Sequence, residues 1–238
     1  MKPGSMEAVQ TLSNRPRVGN VYLLRGFIGI FSTGIDHLGE EINAAGVRAN
    51  VYQDDQWHDL AEQIAKVYAG KTEHEPLILV GHSYGADDVV RIARVLEQYH
   101  ITVDLLVTID PVTPPPVPDN VVRTVDLYRP NGIFDAFPFF RGVPLQADSG
   151  ARAPDNVNIR TDPRHLMDPD TDHFNIEKKE KIHRVVIGEI LAACPTRAVW
   201  MAEHMGHMEA PAYGSLLRGR VGASAQGPGS ENDQSITR

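Results

Sequence analysis

"LILVGHSYGADDVV", Leu77 to Val90, runs from a continuous apolar block into two glycines that flank a serine, and then into a helical pattern. Leu77 to Val80 suit a strand buried on both faces, as strands of parallel sheets are. Val89, Val90, Ala93 and Leu96 give the following segment an inner face at helical spacing. Between the two, Gly-His-Ser-Tyr-Gly (81 to 85) reads as a sharp strand-to-helix turn. Gly81 and Gly85 supply clearance there, and the Ser83 hydroxyl projects at the carboxyl edge of the sheet. The Tyr84 amide is expected to face the same space from the helix N-terminus, where partial positive charge favours an anion. Five residues alone would say little; the strand before and the helix after make Ser83 a candidate nucleophile.

From residue 18 onward β-rich blocks alternate with helical patterns, the signature of a parallel sheet with crossover helices. Strands are predicted over 18–26, 47–53, 76–82, 103–110, 120–128 and 156–162. Ile35, Leu38 and Ile42 mark a first helix that stops at Gly46, and Leu60, Ile64 and Val67 a second that stops at Gly70. A last helix is predicted over 175–194, with Ile176, Ile182, Val186 and Ile190 on one face and Pro195 as its stop. The expected architecture is α/β, a mostly parallel central sheet of about six strands flanked by helices, compact and without a large helical cap. Residues 1–17 read as an N-terminal extension, 18–195 as the folded domain, and 196–238 as a disordered tail of small and polar residues. Within that tail, 199–208 could form a short helical contact.

The chain has 238 residues, 42% of them hydrophobic, enough for one domain to bury its own core. Its net charge of -8 and the lack of a basic stripe argue against nucleic acid or an anionic membrane as partner. A single cysteine, Cys194, excludes an intrachain disulfide and a cysteine-based metal site. No stretch is apolar enough for a secretory signal or a membrane span. The expectation is a soluble, cytoplasmic protein, with secretion open should a signal have preceded Met1. The sequence leaves the oligomeric state open.

A serine hydroxyl needs a general base, and that base an orienting acid, both at the same sheet edge. Asp110 ends the strand that follows the serine helix and is the favoured acid, although an Asp-Pro pair also suits a simple turn. Asp126, inside a strand, and Asp135, one strand farther on, are its rivals. For the base, only His165 and His173 lie between the last strand and the last helix; His173, immediately ahead of that helix, is favoured. His82, beside the serine, is expected to point away from it and to pack or bond locally. The first strand ends in Arg-Gly-Phe-Ile-Gly (25 to 29), where the Phe27 amide could join that of Tyr84 as a second oxyanion donor. A proline-rich stretch (111–119) replaces the usual crossover helix. The segment 129–155 holds Phe134, Phe137, Phe139 and Phe140 in a Pro and Gly background. With Ile28, these aromatics are expected to wall an apolar substrate pocket.

Over residues 18 to 194 the chain resembles the α/β-hydrolase superfamily. The likeness rests on "LLRGFIG" as oxyanion loop, "LVGHSYGA" as nucleophile elbow, an acid after a later strand and "DHFNI" as histidine loop, in the chain order Ser, Asp, His. Arg25 stands where that loop commonly has histidine. Asp110 comes 27 residues after Ser83 (110 minus 83), one strand earlier than in many members, an arrangement similar to polyketide-type thioesterases and some lipases. The resemblance implies a serine esterase, lipase or thioesterase that cleaves a small-molecule acyl ester or thioester through an acyl-enzyme on Ser83. Asp110 and His173 complete the catalytic triad, the Phe27 and Tyr84 amides form the oxyanion hole, and neither metal nor organic cofactor is implied. An acyltransferase, or a non-catalytic relative that binds a hydrophobic ligand or a protein, are the alternatives on the same scaffold.

Overall fold

The described residues form six strands, β1 (Asn20–Leu24), β2 (Arg48–Tyr52), β3 (Leu77–His82), β4 (Leu105–Ile109), β5 (Thr124–Tyr128) and β6 (Asp155–Asn158). The structure is a computed structural model and describes residues 6, 8–26, 33–71, 73–132 and 142–205. All neighbouring strands pair in parallel, in the order β2-β1-β3-β4-β5-β6. The helices are α1 (Thr33–Ala44), α2 (Trp57–Tyr68), α3 (Tyr84–Gln98), α4 (Glu180–Ala193) and α5 (Arg197–Met205). The α/β class and the central parallel sheet read from the sequence are those observed.

β3 is buried along all of its six residues because α2 and α3 cover one face of the sheet while α1 and α4 cover the other. That is why its sequence is continuously apolar rather than alternating. Ile35, Leu38 and Ile42 of α1 pack with Ile182, Val186 and Ile190 of α4 on one side; Leu60 and Ile64 of α2 pack with Val89, Ala93 and Leu96 of α3 on the other. From β1 the chain first crosses to β2 at one edge and then returns to β3 on the other side of β1. The order of strands therefore reverses between β1 and β3. In open α/β sheets the crevice beyond the carboxyl ends at such a reversal is where ligands bind, and here Gly26 and Ser83 stand at those two ends.

The predicted strands 18–26, 47–53, 76–82 and 103–110 shorten by one to four residues, and three boundaries differ more. β5 begins at Thr124 rather than 120, since Val121 makes only an isolated bridge to Val103. β6 ends at Asn158, whose carbonyl accepts the Thr161 amide in a turn. The last helix is two pieces: a turn of 3₁₀ helix at Ile176–Lys178, then α4, separated by Lys179 in an extended conformation. At the chain's start, the Arg17 guanidinium donates to the carbonyls of Leu191 and Cys194 at 2.9 and 2.6 Å, capping the C-terminus of α4. Thr196 heads α5, its carbonyl accepting the Trp200 amide, so regular structure extends to Met205 within the stretch read as tail. The short helix expected within 199–208 is present, beginning at Arg197 and ending at Met205. One compact unit spans Met1–Trp200. Among the described residues no helix is long and apolar enough to cross a membrane, and Cys194 is a buried free thiol.

Glu177, in the 3₁₀ turn, is fully buried. Burial pushes its carboxyl up to about 7, against the opposing pull of the Lys178 charge and of the Glu177 and Gly34 amides. An unfolded glutamate ionises near pH 4.3, so the folded state holds a proton that the unfolded state has lost. This contribution is present at low pH and is lost as pH rises toward 7. Glu177→Gln is expected to match the wild type near pH 4 and to be more stable by about 3 kcal/mol at pH 8. Thermal denaturation at both pH values measures the difference, and a gap that does not widen with pH refutes the assignment.

Candidate active site

Ser83 leaves β3 at φ 57°, ψ −124°, a conformation that costs a non-glycine residue about 1–3 kcal/mol. The turn is possible because the backbones around it touch. A Cβ on Gly81 would collide with the Gly85 carbonyl, and one on Gly85 with the carbonyls of Arg25 and Leu24. The strained residue is held from both sides: its amide donates to the Ile109 carbonyl at 3.0 Å, and its own carbonyl accepts the amides of Ala86 and Asp87 at the start of α3. Gly26 lies against the elbow, where a Cβ would come within 2.9 Å of the Ser83 Cβ.

Asp110 repeats the device one strand over. It follows β4 at φ 51°, its amide bonded to the Leu127 carbonyl at 2.9 Å. The Arg129 amide donates to Oδ1 at 2.6 Å, and Oδ2 lies 2.8 Å from His173 Nδ1. His173 Nε2 lies 2.9 Å from the Ser83 Oγ. A carboxylate only accepts, so Nδ1 carries the imidazole proton and the lone pair of Nε2 faces the serine hydroxyl. All three side chains are buried. The fold thus brings Ser83, Asp110 and His173, spread over 90 positions, into one hydrogen-bonded chain.

The loop that carries His173 braces itself. Asp172 accepts the Phe174 amide through Oδ1 and the Ile176 amide through its carbonyl, and Asn175 Oδ1 accepts the Asp172 amide. A further brace comes from His82, whose Nε2 donates to the His173 carbonyl at 3.0 Å. His82 was expected to point away from Ser83 and to pack or bond locally; its Nε2 bonds a residue 91 positions away. Burial first, and then the neighbouring His173, push His82 down to about 3, so it stays a neutral donor at ordinary pH. Asp87, buried in α3, accepts the amides of Val112 and Thr113 at 2.9 Å each and so ties down the chain just after Asp110.

The rivals sit elsewhere. Asp126 is buried inside β5, where its oxygens accept from the Thr108 hydroxyl at 2.8 Å and the Leu145 amide at 3.3 Å. Burial holds its carboxyl well above the usual range. His165 is exposed, with its carbonyl accepting from Lys181. Asp135, Phe27, Ile28, Phe134, Phe137, Phe139 and Phe140 lie outside the described residues. Tyr84 is the first residue of α3, so its amide heads the helix beside Ser83. Arg25, in place of the histidine of the resembled loop, pairs with Asp36 of α1. The described residues contain no group of three or more His, Cys, Asp or Glu able to hold a metal ion.

Two contacts had no sequence signal at all: the Arg129 amide on Asp110 and the approach of Gly142. A Cβ on Gly142 would overlap the Asp110 carboxylate, falling 2.6 Å from its Cγ. The Gly142 amide in turn donates to the Arg129 carbonyl at 3.1 Å. Only the three-dimensional path of the chain brings these backbones to the acid.

A parallel sheet whose order reverses at β1 and β3, a serine elbow after β3, and the chain order Ser, Asp, His together decide the architecture. The fold is that of the α/β hydrolases. No family model matches the sequence, and no curated protein does. Among solved structures, Est1E from Butyrivibrio proteoclasticus is 14% identical with a TM-score of 0.47, over 78% of this chain and 92% of that one. An α/β serine hydrolase without a lid, from Xanthomonas campestris, is 14% identical with a TM-score of 0.45, over 78% and 84%. A metagenomic carboxyl esterase is 13% identical with a TM-score of 0.39, over 77% and 76%. Likenesses at this level add nothing to the sheet order and the elbow, on which the fold assignment rests.

Gly142→Ala is expected to push the Asp110 carboxylate off His173 and to slow labelling of Ser83 by a fluorophosphonate about a hundredfold or more. Gly188→Ala, where a Cβ meets nothing within 4 Å, serves as control and should label at the wild-type rate. Equal labelling rates for the two variants would show that the contact with Asp110 does not matter.

Proposed function

We propose that the chain is a serine hydrolase that cleaves a carboxylic ester or thioester through an acyl-enzyme on Ser83. The observation that carries this reading is the unbroken relay from the Ser83 Oγ through His173 to Asp110, at 2.9 and 2.8 Å. Ser83 attacks the acyl carbonyl while His173 Nε2 takes the hydroxyl proton; His173 then delivers that proton to the departing alcohol or thiol. Asp110 keeps the imidazole in the tautomer that can accept and stabilises the imidazolium formed in each half-reaction. Water then enters, gives its proton to His173, and the acid product leaves with the serine restored.

The tetrahedral oxyanion is assigned to the Tyr84 amide at the head of α3, with the Phe27 amide as second donor. Support for Tyr84 is its place directly after the nucleophile, where the helix dipole favours negative charge. Phe174 adds aromatic surface at the site: it is about half exposed, and its ring stands edge-on to that of His173, with centroids 5.5 Å apart.

Ser83→Ala is expected to abolish fluorophosphonate labelling and hydrolysis of p-nitrophenyl esters. Asp110→Asn keeps the volume but supports the wrong tautomer, and should lower turnover about ten thousandfold. Labelling that persists in Ser83→Ala, or near-normal turnover in Asp110→Asn, contradicts the assignment. Relative rates on p-nitrophenyl esters and acyl-CoA thioesters choose between ester and thioester.

A further inference from the structure

Arg129 follows β5 at the same sheet edge, and its amide bonds the triad acid. Its side chain is as deep as the reacting groups themselves: Arg129 is 6% exposed, Ser83 7% and His173 4%. Yet among the described residues its charge has no counterpart. Arg25, Arg48, Arg91, Arg94, Arg123 and Arg164 each pair with a carboxylate, and all are more exposed. Among the described residues Arg129 has no ion pair. One nitrogen donates to the neutral Asn131 Oδ1 at 3.2 Å, and the buried Nε–H has no acceptor.

A guanidinium is never neutralised by losing its proton, and burying one without a counter-charge or a full set of acceptors is costly. A fold keeps such a group where something else supplies the anion, and a planar fork of donors suits a carboxylate or phosphate. Strand alternation continued one step past β5 places residue 129 on the face of Val125 and Leu127. That face also carries Leu166 and Ile176, which flank the histidine loop.

We infer that Arg129 is a substrate-recognition residue and that the ester cleaved at Ser83 carries an anionic group, a carboxylate or phosphate, that the guanidinium pairs with. This rests on the hydrolase reading of the Ser83 site. It narrows the substrate from acyl esters in general to anionic ones.

The test compares pairs of esters that differ in charge. p-Nitrophenyl hemiglutarate against p-nitrophenyl pentanoate places the anion on the acyl side; p-acetoxybenzoate against phenyl acetate places it on the alcohol side. In one pair the wild type should favour the anionic ester by about tenfold or more in kcat/KM, because the neutral partner leaves a buried donor unpaired. Arg129→Met, which keeps the amide on Asp110, should lose that advantage, and Arg129→Lys should keep part of it. Should Arg129→Met fail to fold, Arg129→Gln replaces it, and in the wild type glutarate should compete with p-nitrophenyl pentanoate while glutaramide does not. Equal kcat/KM within both pairs, or an advantage that survives loss of the guanidinium, overturns the inference. Hydrolysis of p-nitrophenyl pentanoate with no anionic preference defeats only this inference. Absence of both turnover and fluorophosphonate labelling in the wild type defeats the hydrolase reading itself.

Discussion

Backbone meets backbone at the Ser83 elbow, and the site depends on that approach. The carbonyl of Gly85 lies over Gly81, and the carbonyls of Leu24 and Arg25 lie over Gly85, so no side chain fits at either position. These contacts fix where β1 ends relative to β3 and where α3 begins. They also hold Ser83 at positive φ, with its hydroxyl out of the sheet rather than within it. The strain is offset locally by the hydrogen bonds to Ile109, Ala86 and Asp87, each worth roughly 1 kcal/mol.

Asp110 shows that the device is general to this sheet edge rather than peculiar to the nucleophile. Two adjacent parallel strands are followed by residues at positive φ, 57° and 51°, whose side chains both bond His173. Each is held by a backbone bond to the next strand: Ser83 to Ile109, and Asp110 to Leu127. The serine, the acid and the amide of Arg129 thus form a staircase across β3, β4 and β5. His173 is the one member not on a strand end. Its loop therefore needs its own bracing, from the Asp172 and Asn175 turns and from the His82 bond to its carbonyl.

Much of this was legible in the sequence because it is written in short range. Leu77 to Val80 declare a doubly buried strand, the flanking glycines a tight turn, and the spacing of Ile35, Leu38 and Ile42 a helix face. Asp110 and His173 could be chosen because a parallel sheet collects functional residues after its strands. What could not be read depends on distant backbones meeting: Gly142 on Asp110, the Arg129 amide on the same carboxylate, and His82 on a carbonyl 91 residues away. The break at Lys179 was hidden for a related reason. Its neighbours are good helix formers, and the turn before it is tied to a distant element, the Glu177 carbonyl lying against Gly34 of α1.

Buried polar groups separate into two kinds in this molecule, and the difference is physical. Asp126 and Asp87 are buried with hydrogen bonds to both carboxyl oxygens. Their partners are strand and loop amides or hydroxyls, so they complete the fold and have nothing left to offer a ligand. Asp110 is equally buried but spends one oxygen on the Arg129 amide and the other on a histidine whose far nitrogen faces a hydroxyl. Its satisfaction is therefore passed on to a group that can react. Arg129 is the opposite case, a buried donor whose capacity the protein leaves partly unused. Among the described residues nothing accepts from its Nε–H, a cost that pairing with a substrate's own anionic group would offset.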